Sequence, residues 1–422
     1  MSERVLRVAV VGGGMFFHEV IGSALMDFER YGLAPYLGDI GQGRLARDLA
    51  DVRVKFVAIG TRSASKGTAD AICHWYRQGV PESAVKPFYG EAVWEDIIAQ
   101  SGPDVMVVAT PDDLHYPPII AALSHGLDVI SEKPLCLCLE QADEIIAAAE
   151  HVDRVVACDM HKRYDPMNVK LFRDLVPRMG EVNYVRAVLE EPLEVSTEVF
   201  AWAARSNPFS YVGCHWTDVV HHYLGVTPVS VHATGQKKLL VNWVDPKTGQ
   251  PKPIDTYDSM QVKVTYDTGM EALYVNAWIN PKDFEGPVNQ EIEVFCTRGS
   301  AFMDQQDRGL RYCITGEGSR TANPFFNGRI PNYEPFTEMK GYGKDSLTAG
   351  FSAIMRRRFF GASLDELAPE YPTAASQRST VALVDAAQRV ADANLAYTQA
   401  GQGSPVTAFL GDGEIEIRDP LG

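Results

Sequence analysis

The chain has 422 residues, of which 22% are charged and 45% hydrophobic, and its formal net charge is −16. A domain holds roughly 100–200 residues, so two domains are expected, each large enough for its own core. The acidic balance excludes nucleic acid as a natural partner, because neutralising phosphates requires clustered Lys and Arg. It leaves room for a small polar substrate held in a local pocket.

No run is long and apolar enough to span a bilayer. Met1-Ser2-Glu3-Arg4 leads straight into an apolar strand without a signal-peptide pattern, which reads as a cytoplasmic protein with no membrane partner. The seven cysteines are scattered. Cys136-Leu137-Cys138 lacks the spacing of a zinc site, so reduced thiols and no metal are expected.

Residues 5–11 (VLRVAVV) form a short β-branched run ending at Gly12-Gly13-Gly14, as a buried parallel strand does. Residues 16–28 have a helical pattern. A long polar connection follows over 29–51, then a strand at 52–59, a helix at 64–78, a short strand at 85–89 and a helix at 91–100. Strands at 104–109, 127–130 and 154–158 alternate with helices at 116–125 and 139–150. This alternation predicts right-handed βαβ units and a parallel, doubly wound α/β sheet: a Rossmann domain over residues 1–160.

The pattern then changes. Runs at 182–190, 229–235, 259–266, 270–279, 291–297 and 310–315 read as strands with few helices between them, and Asp267-Thr268-Gly269 is a hairpin signal. Residues 161–422 are therefore expected to form an α+β domain with a large open, mainly antiparallel sheet. Residues 316–343 read as an ordered loop, Gly341 to Ser346 as a loop edge beside a pocket, and 374–396 as a helix that can pack back on the first domain.

Gly12-Gly13-Gly14-Met15-Phe16-Phe17 follows a strand and opens a helix. Gly12 permits a tight turn, and Gly14 lets the backbone approach a pyrophosphate at the helix N-terminus, with Met15 and Phe16 alongside. Phe17 stands where the dinucleotide fingerprint has its third glycine, so this helix must sit further out or be rotated. The residue after the second strand selects the cofactor. Here it is Gly60-Thr61-Arg62-Ser63 with no carboxylate. That pattern favours NADP over NAD, because a guanidinium grips a 2′-phosphate in a bidentate manner.

Further signatures follow in order: Thr110-Pro111-Asp112-Asp113-Leu114-His115, Glu132-Lys133-Pro134, His161-Lys162-Arg163-Tyr164-Asp165-Pro166 and Gly213-Cys214-His215-Trp216-Thr217-Asp218. This ordered set resembles the Gfo/Idh/MocA oxidoreductase family. The resemblance implies that Thr110, Pro111, His115 and His161 lie along an NAD or NADP cofactor and that Glu132 and Lys133 sit beside the nicotinamide ribose. It further implies that Pro134 is cis and that the second domain's sheet forms a homodimer or homotetramer interface. Asp112 replaces the usual Asn, and Tyr211 stands four residues before His215 where many relatives carry Asp.

The chemistry so implied is hydride transfer at a hydroxyl or keto group of a sugar, cyclitol or related polyol. His215 is the candidate base by its ordinary pKa. Lys133 would stabilise the developing alkoxide, and Tyr211, Arg163, Tyr164 and Asp218 are candidate substrate contacts. Two other readings stay open: a glycosidase that oxidises its substrate transiently and eliminates the aglycone, and a dinucleotide-binding protein without catalysis.

Overall fold

The computed structural model describes residues 4–62, 68–281, 283–316, 318–329, 337–401, 405–411 and 413–419. The chain divides into two compact units: Met1–Cys136, Glu140–Asp165 and Phe325–Gln377 in one, and Leu137–Leu139, Pro166–Pro324 and Arg378–Gly422 in the other. From sequence alone a single boundary falls at residue 160; the contacts group Phe325–Gln377 with the first unit.

The first unit holds six parallel strands: β1 (Arg4–Val11), β2 (Val52–Thr61), β3 (Lys86–Tyr89), β4 (Val105–Val108), β5 (Asp128–Ser131) and β6 (Val156–Cys158), in the order β3-β2-β1-β4-β5-β6. All four residues of β4 and of β5 are buried, as a sheet covered on both faces requires. Helices Thr68–Gly79, Val93–Ser101, Tyr116–Ser124 and Leu139–Val152 supply the crossovers. The long connection after the helix Gly22–Tyr31, which leads from β1 towards β2, carries its own short helical turns at Ala34–Tyr36, Gly43–Leu45 and Ala46–Leu49.

Residues Tyr342–Phe360 form a helix that belongs to this same unit. Gly341, at φ 127°, precedes it, so Tyr342 to Ser346 make its first turn rather than a loop edge. The helix is fixed by a buried ion pair. Lys344 Nζ donates to Asp27 Oδ2 at 2.7 Å and to the Met339 carbonyl at 3.1 Å, and the Met339 N–H donates to the same Asp27 oxygen at 2.8 Å. Lys344 Nζ also lies 3.1 Å from the Tyr36 ring centroid. Burial lowers the Lys344 pKa, and Asp27 opposes that shift.

The second unit is built on an eight-stranded sheet. Its named strands are β7 (Val182–Pro192), β8 (Pro228–Gln236), β9 (Ser259–Tyr266), β10 (Glu271–Asn280), β11 (Asn289–Cys296) and β12 (Gly299–Asp304). The order is β12-β11-β7-β10-β9-β8, continued by the hairpin Thr407–Gly411 and Glu414–Arg418. The β7–β10 pair is parallel and the other pairs are antiparallel. Burial alternates along β9 and β11, so one face is covered and the other open. Gly269, at φ 82°, turns the β9–β10 hairpin. Residues Arg311–Ile314, read from sequence as another strand of this sheet, pair instead with Gly318–Thr321 in a separate exposed hairpin. Leu383, Val384, Ala387 and Val390 of the helix Ala374–Ala400 lie in the core of this second unit.

Candidate functional site

The glycine turn after β1 has the geometry that the sequence calls for. Gly12 takes φ 107° and donates its N–H to the Gly60 carbonyl at 2.9 Å. A Cβ at Gly12 would meet the Ala109 carbonyl oxygen at 2.0 Å, whereas none of the described residues lies within 4 Å of one at Gly14. The turn is thus pinned against β4 on one side and open on the other. Met15 is exposed and Phe16 half-buried.

Phe17, in place of the third glycine, is fully buried in the core, 6.3 Å from the Phe56 ring. The backbone accommodates it in two ways. Residues Phe17–Ile21 widen into a π-helical turn, and the next small residue, Gly22, makes room, since a Cβ there would lie 2.9 Å from the Phe17 ring.

At the end of β2, Thr61 is buried, and its Oγ1 has no hydrogen-bond partner among the described residues. Arg62 is half-exposed, with Nε 3.8 Å from the exposed Glu91 carboxylate. Ser63 lies outside the described residues.

Thr110 follows β4, and its Oγ1 donates to the Leu114 carbonyl at 3.0 Å. Pro111 is half-buried beside it. His115 is buried with Nδ1 2.7 Å from the Pro134 carbonyl and Nε2 2.9 Å from the Thr110 carbonyl. A neutral imidazole donates to only one of these, and burial lowers the pKa of the ring and so opposes the form that donates to both. His115 thereby ties the segment after β4 to the segment after β5, with both ring nitrogens occupied by backbone.

The Lys133–Pro134 peptide is cis. Glu132 and Lys133 are both buried where the chain leaves β5. His161, after β6, is stacked between Phe16 (centroids 5.6 Å apart) and Tyr342 (5.8 Å), with Phe326 5.1 Å away. Burial first, then the charges of Lys133 and Lys162, hold the His161 pKa well below its ordinary value, so the ring is neutral. Tyr342 lies in the Gly341–Ser346 cluster read from the sequence as a loop edge beside a pocket, whereas Phe326 was not singled out there. Arg163 is buried, with Nη2 donating to Ser376 Oγ at 3.3 Å. Tyr164 packs half-buried against the first core.

In the second unit, Tyr211 lies in a π-helical turn, Phe209–Gly213, that leads into the helix Cys214–Leu224. The turn is wider than an α-helical one, so the four-residue spacing to His215 does not by itself align the two side chains. The Tyr211 ring packs against Phe200 (4.8 Å), Trp202 (5.6 Å) and Trp278 (6.0 Å). His215 and Asp218 are buried on the first turns of the helix. Gly213 is there for close approach: a Cβ would lie 2.4 Å from Phe209 and 2.7 Å from Asn276 Oδ1. Trp216 is fully buried and donates to the Val188 carbonyl at 3.0 Å, so it is a core residue.

These features fit a dinucleotide. Among the described residues the turn is open above Gly14 and the buried Thr61 hydroxyl lacks a partner, and helical backbone starts at Met15. Comparison with known proteins agrees. A family model described as "Oxidoreductase family, NAD-binding Rossmann fold" matches residues 6–160, and one for the GFO/IDH/MocA C-terminal domain matches residues 177–302. The chain belongs to the Gfo/Idh/MocA oxidoreductase family.

Among its curated relatives are the putative oxidoreductase YteT of Bacillus subtilis and D-glucoside 3-dehydrogenase of Escherichia coli. The first is 28% identical over 39% of this chain and 39% of its own length, and the second is 30% identical over 36% and 46%. The chain thus spans less than half the length of these two. Inositol 2-dehydrogenase of Rhizobium meliloti is 25% identical over 67% of this chain and 79% of its own length. The fold matches that of GenD2 from gentamicin A biosynthesis, solved in complex with NAD, with TM-score 0.65, 18% identity and 97% of each chain covered. It also matches scyllo-inositol dehydrogenase from Lactobacillus casei, with TM-score 0.61, 14% identity, and 93% of this chain and 98% of the other covered.

Proposed function

We propose that this family member is a nicotinamide-dinucleotide-dependent dehydrogenase or reductase acting on a hydroxyl or keto group of a sugar, cyclitol or related polyol. The observation that carries the reading is the buried Lys133 beside the end of β5, in the same unit as the open Gly12–Gly14 turn. Relatives named for glucoside, xylose and inositol dehydrogenases support the substrate class.

The first unit holds the cofactor. Gly12, Gly14, Met15 and Phe16 take the pyrophosphate end; Thr61 and Arg62 take the adenosine ribose. Thr110, Pro111, Glu132 and His161 line the nicotinamide end, and His115 holds that region in shape. The cofactor, when bound, supplies the redox chemistry at the carbinol carbon. Lys133 places a positive charge at the substrate oxygen, and His215 accepts the hydroxyl proton. Tyr211, Arg163, Tyr164 and Asp218 are assigned to substrate binding and orientation. The absence of a carboxylate at the end of β2, together with Arg62, favours NADP; Glu91 is then the group that Arg62 leaves to meet a phosphate.

The open face of the second unit's sheet carries Tyr184, Leu273, Phe295 and Phe302 exposed, with Tyr184 and Phe295 stacked at 4.9 Å. We assign this face to assembly of a homodimer or homotetramer.

The test is a panel of sugars, cyclitols and glycosides followed by the absorbance of reduced cofactor, with NAD and NADP compared by direct binding. Stoichiometric cofactor reduction that Lys133→Met lowers by about 10²-fold or more supports the reading. Release of aglycone without net reduction identifies the redox-neutral glycosidase. Cofactor binding without turnover of any substrate identifies a binding protein.

A further inference from the structure

The ends of β5 and β6 place two carboxylic acids side by side. The two strands are parallel neighbours with Ser131 opposite Cys158, and the Asp159 N–H donates to the Ser131 carbonyl at 2.8 Å. The next residue on each strand is therefore Glu132 on one and Asp159 on the other. Both are buried, Asp159 at 2% exposure and Glu132 at 7%. Neither Asp159 oxygen meets hydrogen-bond geometry with a donor among the described residues. Its polar neighbours are the Glu132 carboxyl and the Ser346 hydroxyl, and the cation facing both acids is Lys133. His161, two residues beyond Asp159, is neutral and adds no charge.

Two buried carboxylates on adjacent strand ends do not both ionise near neutral pH, because each anion disfavours the other and burial disfavours both. Burial first, then Asp159, pushes the Glu132 pKa well above the ordinary range, and Lys133 only partly offsets this. Burial raises Asp159 to about 6. Between these two ionisations the pair carries one proton and one negative charge, which balances the single positive charge of Lys133.

We propose that Glu132 and Asp159 share one proton at neutral pH, and that Asp159 is thereby a positioning residue that sets the charge beneath Lys133. The part concerning Lys133 rests on the reading that Lys133 serves the substrate oxygen. When the shared proton leaves for solvent at higher pH, the charge beneath Lys133 doubles. The ammonium is then drawn towards the acids and away from the substrate oxygen.

The experiment is an infrared pH titration of the full-length protein, following the protonated-carboxyl absorption in the wild type, Asp159→Asn and Glu132→Gln. Beside the absorption of Asp345, itself raised to about 7, the wild type should show a protonated-carboxyl component at pH 7 that Glu132→Gln removes and that Asp159→Asn shifts to lower pH, since Glu132 then keeps its burial but loses the neighbouring acid. With a substrate in hand, Asp159→Asn should lose the alkaline limb of the kcat/KM profile or move it by more than about 1 pH unit, and Asp159→Glu should restore it. Thermal melts of both variants confirm folding, and the two substitutions act as independent checks on the one band. Wild-type-minus-variant difference spectra that show no change of the protonated-carboxyl absorption in either variant overturn the shared proton whatever Lys133 does. A band that behaves as expected in an enzyme whose Lys133→Met variant keeps full activity overturns only the role given to Lys133.

Discussion

Lys344→Met tests the energetics of the first unit. The side chains of Lys344 and Asp27 are 2% and 3% exposed, and their charged atoms are 2.7 Å apart. The substitution removes the cation and leaves the Asp27 carboxylate buried, with the Met339 N–H as a remaining donor. Breaking one side of such a pair costs about 3–5 kcal/mol, most of it the penalty of the stranded charge. For a unit of about 150–250 residues each kcal/mol lowers Tm by about 2–4 °C, so a fall of roughly 6–20 °C is expected. The double variant Asp27→Asn/Lys344→Met removes both charges and keeps an acceptor for Met339, so it should recover more than half of the loss. Urea unfolding followed by tryptophan fluorescence measures both. A single variant within about 1 kcal/mol of wild type, or a double variant no more stable than the single one, would refute the argument that the stranded charge dominates.

Gly12→Ala forces a Cβ to within 2.0 Å of the Ala109 carbonyl at a backbone angle only glycine adopts readily, so the turn must shift. Calorimetry should show nucleotide affinity falling tenfold or more, about 1.4 kcal/mol. Asp345 is raised to about 7 by burial and then by Asp39. Its folded pKa exceeds its unfolded one, so its contribution is fully present below the unfolded pKa and lost as pH rises through about 7. Asp345→Asn should therefore gain stability relative to wild type above pH 7 and not at pH 4, as paired melting curves would register. Phe302, at 63% exposure, is the most exposed large apolar residue of the open sheet face. Phe302→Glu should lower the mass measured by light scattering, whereas an unchanged mass would remove this face as the assembly surface.

Much of the first unit was legible because a parallel sheet writes itself as short apolar runs at regular intervals. All six strands of the Rossmann sheet coincide with runs read from the sequence. The helix Tyr342–Phe360 was not legible for a physical reason: it is buried on most of its surface, from Tyr342 to Arg356, so it has no apolar stripe. Its buried positions include Lys344, Ser346, Thr348 and Ser352, and it contains Gly343 and Gly350, which read as loop. Strand β12 and the closing hairpin at 407–418 are short and largely exposed, and a period of two is lost in so few residues.

The candidate site was legible as motifs and less so as geometry. The glycine turn follows from its place between a strand and a helix, and Glu132 and Lys133 from the resemblance to the family. The double engagement of His115 by backbone, the aromatic stack around His161 and the adjacency of Asp159 to Glu132 depend on which strands become neighbours, and that is not encoded locally.

The return of Phe325–Gln377 to the first unit bears on how the chain is made. A ribosome that has released residue 160 has exposed all six strands of the nucleotide-binding sheet. It has not yet supplied Lys344 for Asp27, Arg358 for Asp128, or the Tyr342 ring for His161. The nascent sheet must wait, with these groups unsatisfied, until more than half of the remaining chain has emerged. A fragment cut at residue 160 should accordingly be a substrate for chaperones and proteases rather than a free-standing nucleotide-binding module, and the intervening residues are read by the ribosome as a long insertion within a fold begun earlier.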